Sequence, residues 1–271
     1  MSLPILDLPT PVTQDALVRY FHQTEIRWTE HLGESIELDA GAAFTNPQLP
    51  NVRDANRMLM VSLPEGGSAD DAIGMVDEHF AARGVKCWSW VMNPSATESL
   101  TAPLVERLAA RGFQKVATDI LYLRHVHALA TESPPGVTII PARASFRHAR
   151  QLAEDFARES NGPQLADAAM AHLDDPHLDA LLALKDGNAL ATVGVLASGE
   201  LGRIDGLYVT EPARHHGLGR TMMSRALEIC ARSLFKHVFT WCDPANQSAH
   251  ALYREMGFEK LADFVAYSIS R

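Results

Sequence analysis

The stretch Leu207-Tyr208-Val209-Thr210-Glu211-Pro212-Ala213-Arg214-His215-His216-Gly217-Leu218-Gly219-Arg220-Thr221 has the residue types and spacing to hold a pyrophosphate. An apolar strand that stops at Pro212 and restarts as a helix near Gly217 leaves successive backbone N–H groups without partners at a positive helix end, where phosphate oxygens are stabilised. Gly217 and Gly219 allow a ligand to come close to the backbone. Two other phosphate patterns fail here. A P-loop ends in Gly-Lys-Ser/Thr, whereas Gly219 is followed by Arg220-Thr221 and a single residue separates the glycines. A dinucleotide fingerprint needs a third glycine and an acidic residue at the end of the next strand, but position 222 is Met and that strand ends Trp241-Cys242.

The elements that would position this loop are legible on both sides of it. Residues 137–140 read as a strand, 145–159 and 164–173 as helices, and 181–184 meets 189–196 across Asp186-Gly187, a two-residue hairpin signal. Residues 204–209 form the strand that enters the loop. The helix that leaves it carries Met222, Met223, Ala226, Leu227, Cys230 and Leu234 on one apolar stripe. A strand at 237–242, a helix at 248–256 with Gly257 as its C′ residue, and a strand at 264–269 follow.

The first half of the chain imperfectly repeats this pattern. Trp88-Ser89-Trp90-Val91-Met92-Asn93-Pro94, a helix, Leu108 to Gly112-Phe113 and a strand at 120–123 parallel Phe239 to Asp243-Pro244, a helix, Tyr253 to Gly257-Phe258 and the strand at 264–269. Leu108 falls where Tyr253 does. The segment that would match the phosphate loop, Pro64 to Asp71, has three carboxylates and no basic residue, so it would repel pyrophosphate. Thr131-Glu132-Ser133-Pro134-Pro135-Gly136 is the turn-rich linker, which gives expected domains of 1–133 and 134–271.

Composition is that of a globular protein long enough for two cores: 271 residues, 46% hydrophobic and 21% charged. The net charge of -9 argues against general nucleic-acid binding, and it divides into -7 for residues 1–135 and -2 for 136–271, the half with the loop. No window approaches a membrane span of about 18 apolar residues, and the beginning lacks the pattern of a signal peptide, so the reading is a cytoplasmic protein without a membrane partner. Cys87, Cys230 and Cys242 fit neither a disulfide framework nor a metal site and read as reduced core thiols.

Arg214-x-x-Gly217-x-Gly219 after a Leu-x-Val strand, with Asn246, Tyr253 and Gly257-Phe258 downstream, resembles the coenzyme A loop of the GNAT superfamily of N-acetyltransferases. The resemblance covers residues 137–271, and the internal repeat extends it to 55–125 as a second, degenerate copy. It implies a tandem α/β (α+β) protein of two GNAT-like domains, each with a mixed, mostly antiparallel central sheet flanked by helices. It also implies acetyl-CoA as co-substrate, no metal, and direct acetyl transfer to a primary amine of a small molecule or peptide.

By the same resemblance, backbone amides of Leu207, Tyr208 and Val209 take the pantetheine and thioester oxygen. Amides from His215, His216, Gly217, Leu218, Gly219, Arg220 and Thr221 take the pyrophosphate, with Arg214 free to pair with a phosphate oxygen or not. Tyr253 matches the general acid, although a helical Tyr is also a common core residue. Asn246 fits a pantetheine contact and a helix cap at once. Asp205 occupies the place of the family's frequent Glu base, and alternation sets it on one strand face with Leu207 and Val209, yet it could simply pair with Arg203.

Other residues read as structural. His250 is a surface or packing residue, the adjacent His215 and His216 do not make a metal site, and Trp88 and Trp90 are core aromatics more than a substrate wall. The acidic pairs Asp70-Asp71 and Asp174-Asp175 hint at amines but resemble solvated faces. The first 130 residues are expected to supply a substrate wall or a homodimer surface. A coenzyme A-binding regulator without turnover is the competing reading.

Overall fold

The computed structural model describes residues 12–126, 132–162 and 164–269. Thr131 of the expected linker lies outside them. Thr13 caps the first helix, its hydroxyl accepting from the Ala16 N–H, and α1 (Gln14–Glu30) is followed by β1 (Glu34–Leu38) and β2 (Gly41–Thr45). The repeat unit comes next: β3 (Arg57–Val61), α2 (Ala69–Ala81), β4 (Ser89–Met92), α3 (Glu98–Ala110) and β5 (Gln114–Leu123).

The second half begins with β6 (Thr138–Pro141), α4 (Phe146–Glu159) and α5 (Leu165–Leu173). It continues through β7 (Leu178–Lys185), β8 (Asn188–Ser198) and β9 (Leu201–Val209), then repeats the unit as α6 (Leu218–Arg232), β10 (His237–Cys242), α7 (Gln247–Glu255) and β11 (Glu259–Ser268). The hairpin across Asp186-Gly187 forms as its dipeptide requires, with φ of 51° and 77°.

The repeat recurs in the hydrogen bonds that close its second helix. Phe113 N–H donates to Leu108 O and Phe258 N–H to Tyr253 O, both at 3.0 Å, and Gly112 and Gly257 close their helices at φ of 88° and 87°.

All eleven strands form one sheet in the order β1-β2-β3-β4-β11-β5-β10-β9-β8-β7-β6. The last strand of each half has moved into the other: β11 lies between β4 and β5, and β5 lies between β11 and β10, every one of these neighbours antiparallel. Each repeat unit is therefore completed by a strand from its counterpart.

One face of the sheet carries α2 and α3 on the first half and α6 and α7 on the second, with separate cores around Phe80, Trp90 and Leu108, and around Met222, Leu227 and Phe258. Helix α1 crosses the opposite face, where Leu17 and Phe21 pack on Ile120, Tyr122 and Phe239 from both halves, and α4 packs there with Leu152 near Tyr208.

Two sequence expectations fail here. Leu234 does not continue the α6 stripe: the helix ends at Arg232, Leu234 turns back at φ 56° and is 83% exposed, and Phe235 packs on the core instead. Asp175 is no solvated charge but is buried, bonded to the backbone and ring of His177, while Asp70 is exposed and paired with Arg107 at 2.9 Å. Cys87, Cys230 and Cys242 are free and buried. Among the described residues no helix is long and apolar enough to cross a membrane.

Candidate active site

Strands β9 and β10 are parallel and pair only from His237 opposite Leu201 to Phe239 opposite Arg203. Beyond that point β9 runs on to Val209 and β10 to Cys242 without pairing to each other, so a slot opens between them. Within this stretch Gly206, at φ 64°, marks a bulge where the register of β9 against β8 slips. A bulge bends its strand and inverts the alternation beyond it.

The inversion corrects the expected single face of Asp205, Leu207 and Val209. Asp205 pairs with Gly194 and Tyr208 with Thr192, on the α4 side, whereas Leu207 and Val209 pack on the core under α6.

Past the end of β9, a single 3-10 turn at Glu211–Ala213 leads to His215 (φ 65°) and Gly217 (φ 80°), two left-handed residues one apart. Among the described residues, no backbone N–H from His215 through Arg220 donates to a protein acceptor, and the first helical bond of α6 is Thr221 N–H to Gly217 O at 3.1 Å. Six successive amides around left-handed turns at a helix N-terminus form a concave anion seat. A Cβ on Gly219 would meet only Leu252 and Val209 side chains at 3.6 and 3.9 Å, so internal packing does not require glycine there. The residues present fit a pyrophosphate.

The side chains of the loop point to other tasks. Arg214 Nε donates to Val209 O at 2.9 Å and its Nη2 to Glu159 Oε2 at 2.5 Å, while Tyr208 Oη donates to Glu159 Oε1 at 2.6 Å. These bonds, Tyr208's first and then Arg214's, hold the Glu159 carboxyl below the usual range. Arg214 thus ties the end of β9 to the end of α4. Arg220 is ion-paired with Glu255 of α7, the Thr221 hydroxyl donates back to Gly217 O at 3.3 Å, Leu218 is a core residue, and His215 and His216 are exposed.

Tyr253 lies at the slot, 7% exposed, its ring edge-to-face with Phe258. Burial pushes its phenol up to about 12, against the opposing hydrogen bond with Thr240, so it keeps its proton throughout the neutral range. Asn246 caps α7 by accepting from Ala249 N–H at 3.1 Å.

Both Tyr253 and Asn246 line a cavity of about 690 Å³ together with Asp205, Leu207, Tyr208 and Trp241. Asp205 Oδ2 accepts from Arg203 Nε at 2.8 Å and from Trp241 Nε1 at 3.0 Å, and its Oδ1 accepts from Gly206 N–H at 2.7 Å. Composition and periodicity did not single out Trp241 or Glu159. A Trp at the C-terminal end of the strand entering the slot was the available signal for the first, and none existed for the second.

Behind Asp205 sits a buried network. Glu25 of α1 pairs with Arg57 at 2.7 Å and with Arg203, the residues at matching positions of β3 and β9 opposite Ser89 and Phe239. Burial pushes the Glu25 carboxyl up, but Arg203 and then Arg57 outweigh it and bring it down to about 2. His250 faces Asp119 of β5 at 3.5 Å and does not line the cavity. Trp90 is core, and Trp88, half-buried just before β4, donates to Pro50 O at 2.7 Å.

The profile of the acetyltransferase (GNAT) family matches residues 146–258, so the second half of the chain carries a GNAT acetyltransferase domain. No curated protein sequence matches. Among solved structures, a GCN5-related N-acetyltransferase from Kribbella flavida shares the fold over 93% of this chain and 95% of its own, at 18% identity and a TM-score of 0.64. A functionally unknown conserved protein from Staphylococcus epidermidis covers 87% and 93% at 15% identity and 0.61. A tandem GNAT protein from the clavulanic acid biosynthesis pathway covers 73% and 66% at 18% identity and 0.52. The chain has the tandem GNAT fold.

Proposed function

We propose that the protein is an acetyl-CoA-dependent N-acetyltransferase with one working site, in residues 134–271, and a degenerate partner domain in 1–133. The observation that carries this reading is the run of six unpartnered amides from His215 to Arg220, placed at the mouth of the β9/β10 slot.

The amides of His215 to Thr221 hold the pyrophosphate of the cofactor, and the unpaired edge of β9 at Leu207, Tyr208 and Val209 takes its pantetheine arm, with Asn246 beside it. Bound acetyl-CoA supplies a thioester whose acetyl group passes to the amine, the C–N bond forming as the C–S bond breaks, with coenzyme A leaving as the thiol and one amine proton released.

Tyr253 Oη is the proton donor to the departing sulfur, a task its raised pKa suits at neutral pH. Asp205 takes the acceptor's proton through water at Oδ1, since Oδ2 is engaged by Arg203 and Trp241. That engagement is also what favours the competing reading, a coenzyme A-binding module without turnover.

Calorimetric titration with acetyl-CoA, followed by single-turnover kinetics on the same protein, separates the two. Gly217→Asp/Gly219→Asp is expected to weaken binding about 100-fold or more, because two carboxylates would enter the anion seat. Tyr253→Phe is expected to keep the Kd and to lower the rate of amine acetylation about 100-fold. Binding that survives the aspartates overturns the cofactor site. Binding with no amine turnover under any acceptor favours the silent module.

A further inference from the structure

The acceptor-side wall of the cavity has a charge pattern that points to a particular kind of amine. Four carboxylates and three guanidinium groups line it. Glu25 pairs with Arg57 and Arg203, Asp54 with Arg57 at 3.2 Å, and Asp205 with Arg203 at 2.7 Å. Those ions are paired within the protein, three carboxylates against two guanidinium groups, so the cluster keeps one negative charge in excess. Among the described residues, the ones left without an ion-pair partner are Asp243, at the end of β10 just past the slot, and Arg53, in the turn before β3 on the other half of the molecule. Asp243 Oδ1 accepts from Ala245 N–H at 2.8 Å, leaving its second oxygen for a ligand.

Apolar surface lines the same cavity. Phe156 of α4, Val116 of β5 and Trp241 of β10 are among the few large apolar side chains that stay exposed, at 42%, 40% and 40%, and all three line this one cavity. They come from three separate elements, one of them contributed by the first half. The Trp241 indole N–H is already bonded to Asp205, which fixes the ring and leaves its face for a ligand.

Resting on the acyltransferase reading above, we propose that the acceptor is a singly charged primary amine carried on an aromatic or similarly bulky apolar body. Its ammonium group sits at Asp243, beside the Trp241 face, where a carboxylate and an indole reinforce each other for one cation. Its apolar body lies against Phe156 and Val116. A polyamine or a polycationic sugar fits poorly, because Asp243 is the one lining carboxylate without an ion-pair partner, the others being held by Arg57 and Arg203, and a second ammonium reaching the far end would meet Arg53.

The test is calorimetric binding of amines to the whole protein without cofactor, using phenethylamine and tryptamine against spermidine and kanamycin. Acetyl-CoA is titrated separately into the same preparations. The aromatic monoamines are expected to bind about tenfold tighter than spermidine. Trp241→Ala and Asp243→Asn are each expected to weaken phenethylamine about tenfold, leaving acetyl-CoA affinity unchanged. Asp243→Asn keeps the side-chain oxygen that accepts from Ala245, so its folding is not at issue.

Arg53→Glu is expected to improve spermidine binding. Spermidine or kanamycin binding as tightly as the aromatic amines, or Trp241→Ala leaving phenethylamine unaffected, overturns the inference. Failure of acetyl-CoA to bind while the amine ranking holds overturns the acyltransferase reading instead, and leaves the amine site standing.

Discussion

The two halves of this molecule are the same unit built twice, and they part company at two backbone positions. In the second half, β9 and β10 separate after Phe239 and Arg203, and α6 begins at Gly217 with no side chain over its amides. In the first half, β3 and β4 stay paired as far as Val61 and Met92, and Asn93 N–H extends the pairing to Val61 O at 2.9 Å. There one helix amide is engaged as well: the Ser68 hydroxyl accepts from Asp71 N–H at 3.3 Å, and Asp70 and Asp71 occupy the first turn.

Closing the slot and capping the helix each remove one requirement of a pyrophosphate site. Leu108 stands at the place of Tyr253, so the first half lacks the phenol proposed above as proton donor. A bulge with left-handed backbone persists in both halves, at Met60 (φ 57°) and Gly206 (φ 64°), so it is the splay beyond the bulge that distinguishes β9 from β3. The first half has a structural duty through β5, which fills the gap between β10 and β11.

The largest expected effect comes from separating the halves. Residues 134–271 expressed alone would lack β5 and leave β10 and β11 without their shared neighbour, and the surface that Leu17, Phe21, Ile120 and Tyr122 cover would be open to water. The fragment is expected to aggregate or lack cooperative unfolding, and co-expression with residues 1–133 to recover a soluble complex, measured by gel filtration and thermal melts. A monomeric, cooperatively folding fragment would show that the halves are independent and break the comparison.

Next in size is the ion network on the pseudo-symmetric contact. Glu25 serves Arg57 of one half and Arg203 of the other, so Glu25→Gln leaves two buried guanidinium groups short of a charge and is expected to destabilise by about 3 to 5 kcal/mol at pH 7. The pH dependence has a fixed sign. A folded value of about 2 against an ordinary 4.5 means that the contribution is present above 4.5 and is lost as pH falls toward 2.

Burial, with His31 and Arg203 adding to it, brings His172 down to about 3, so the unfolded chain takes up a proton first between 6.5 and 3 and stability falls over that window too. Urea titrations at pH 7, 5 and 3 are expected to show the wild type and Glu25→Gln converging as pH drops. A constant gap would remove Glu25 from the acid response.

Much of this arrangement could be read from local sequence. The glycine turn, the Asp186-Gly187 hairpin, the α6 stripe as far as Cys230 and the repeat around Leu108 and Tyr253 are local, and hydrophobic period or turn chemistry states them directly. What stayed hidden was long-range or depended on one backbone angle. Gly206 looked like an ordinary strand residue, yet its left-handed φ moved Asp205 to the face opposite Leu207. Charge and position left Arg214 free to pair with a phosphate or not, and its bond to Glu159, far away in sequence, could not be read from them. The exchange of β5 and β11 leaves no mark in periodicity, because a strand's pattern records that both its faces are covered and not which neighbour pairs with its edges.

The smallest effect sharpens the contrast most directly, because it treats the two helix N-termini as equivalent and asks what each does. Ser68→Ala removes the hydroxyl that accepts from Asp71 N–H and is expected to cost about 1 kcal/mol of stability, the usual loss at an N-cap. It frees an amide in the first half, but the site has no open slot and keeps Asp70 and Asp71 beside it. The coenzyme A stoichiometry is therefore expected to remain one per chain, with unchanged Kd. Gly217→Ala, at the matching position, imposes a side chain on φ 80° and costs a similar amount, about 1 kcal/mol, but is expected to weaken coenzyme A as well, because any shift of Gly217 disturbs the amides around it. Equal stability losses with unequal binding losses would assign one helix end to folding and the other to the ligand. A second coenzyme A on Ser68→Ala would mean that the cap alone had closed the first site, and that the pairing of Val61 with Met92 is no barrier.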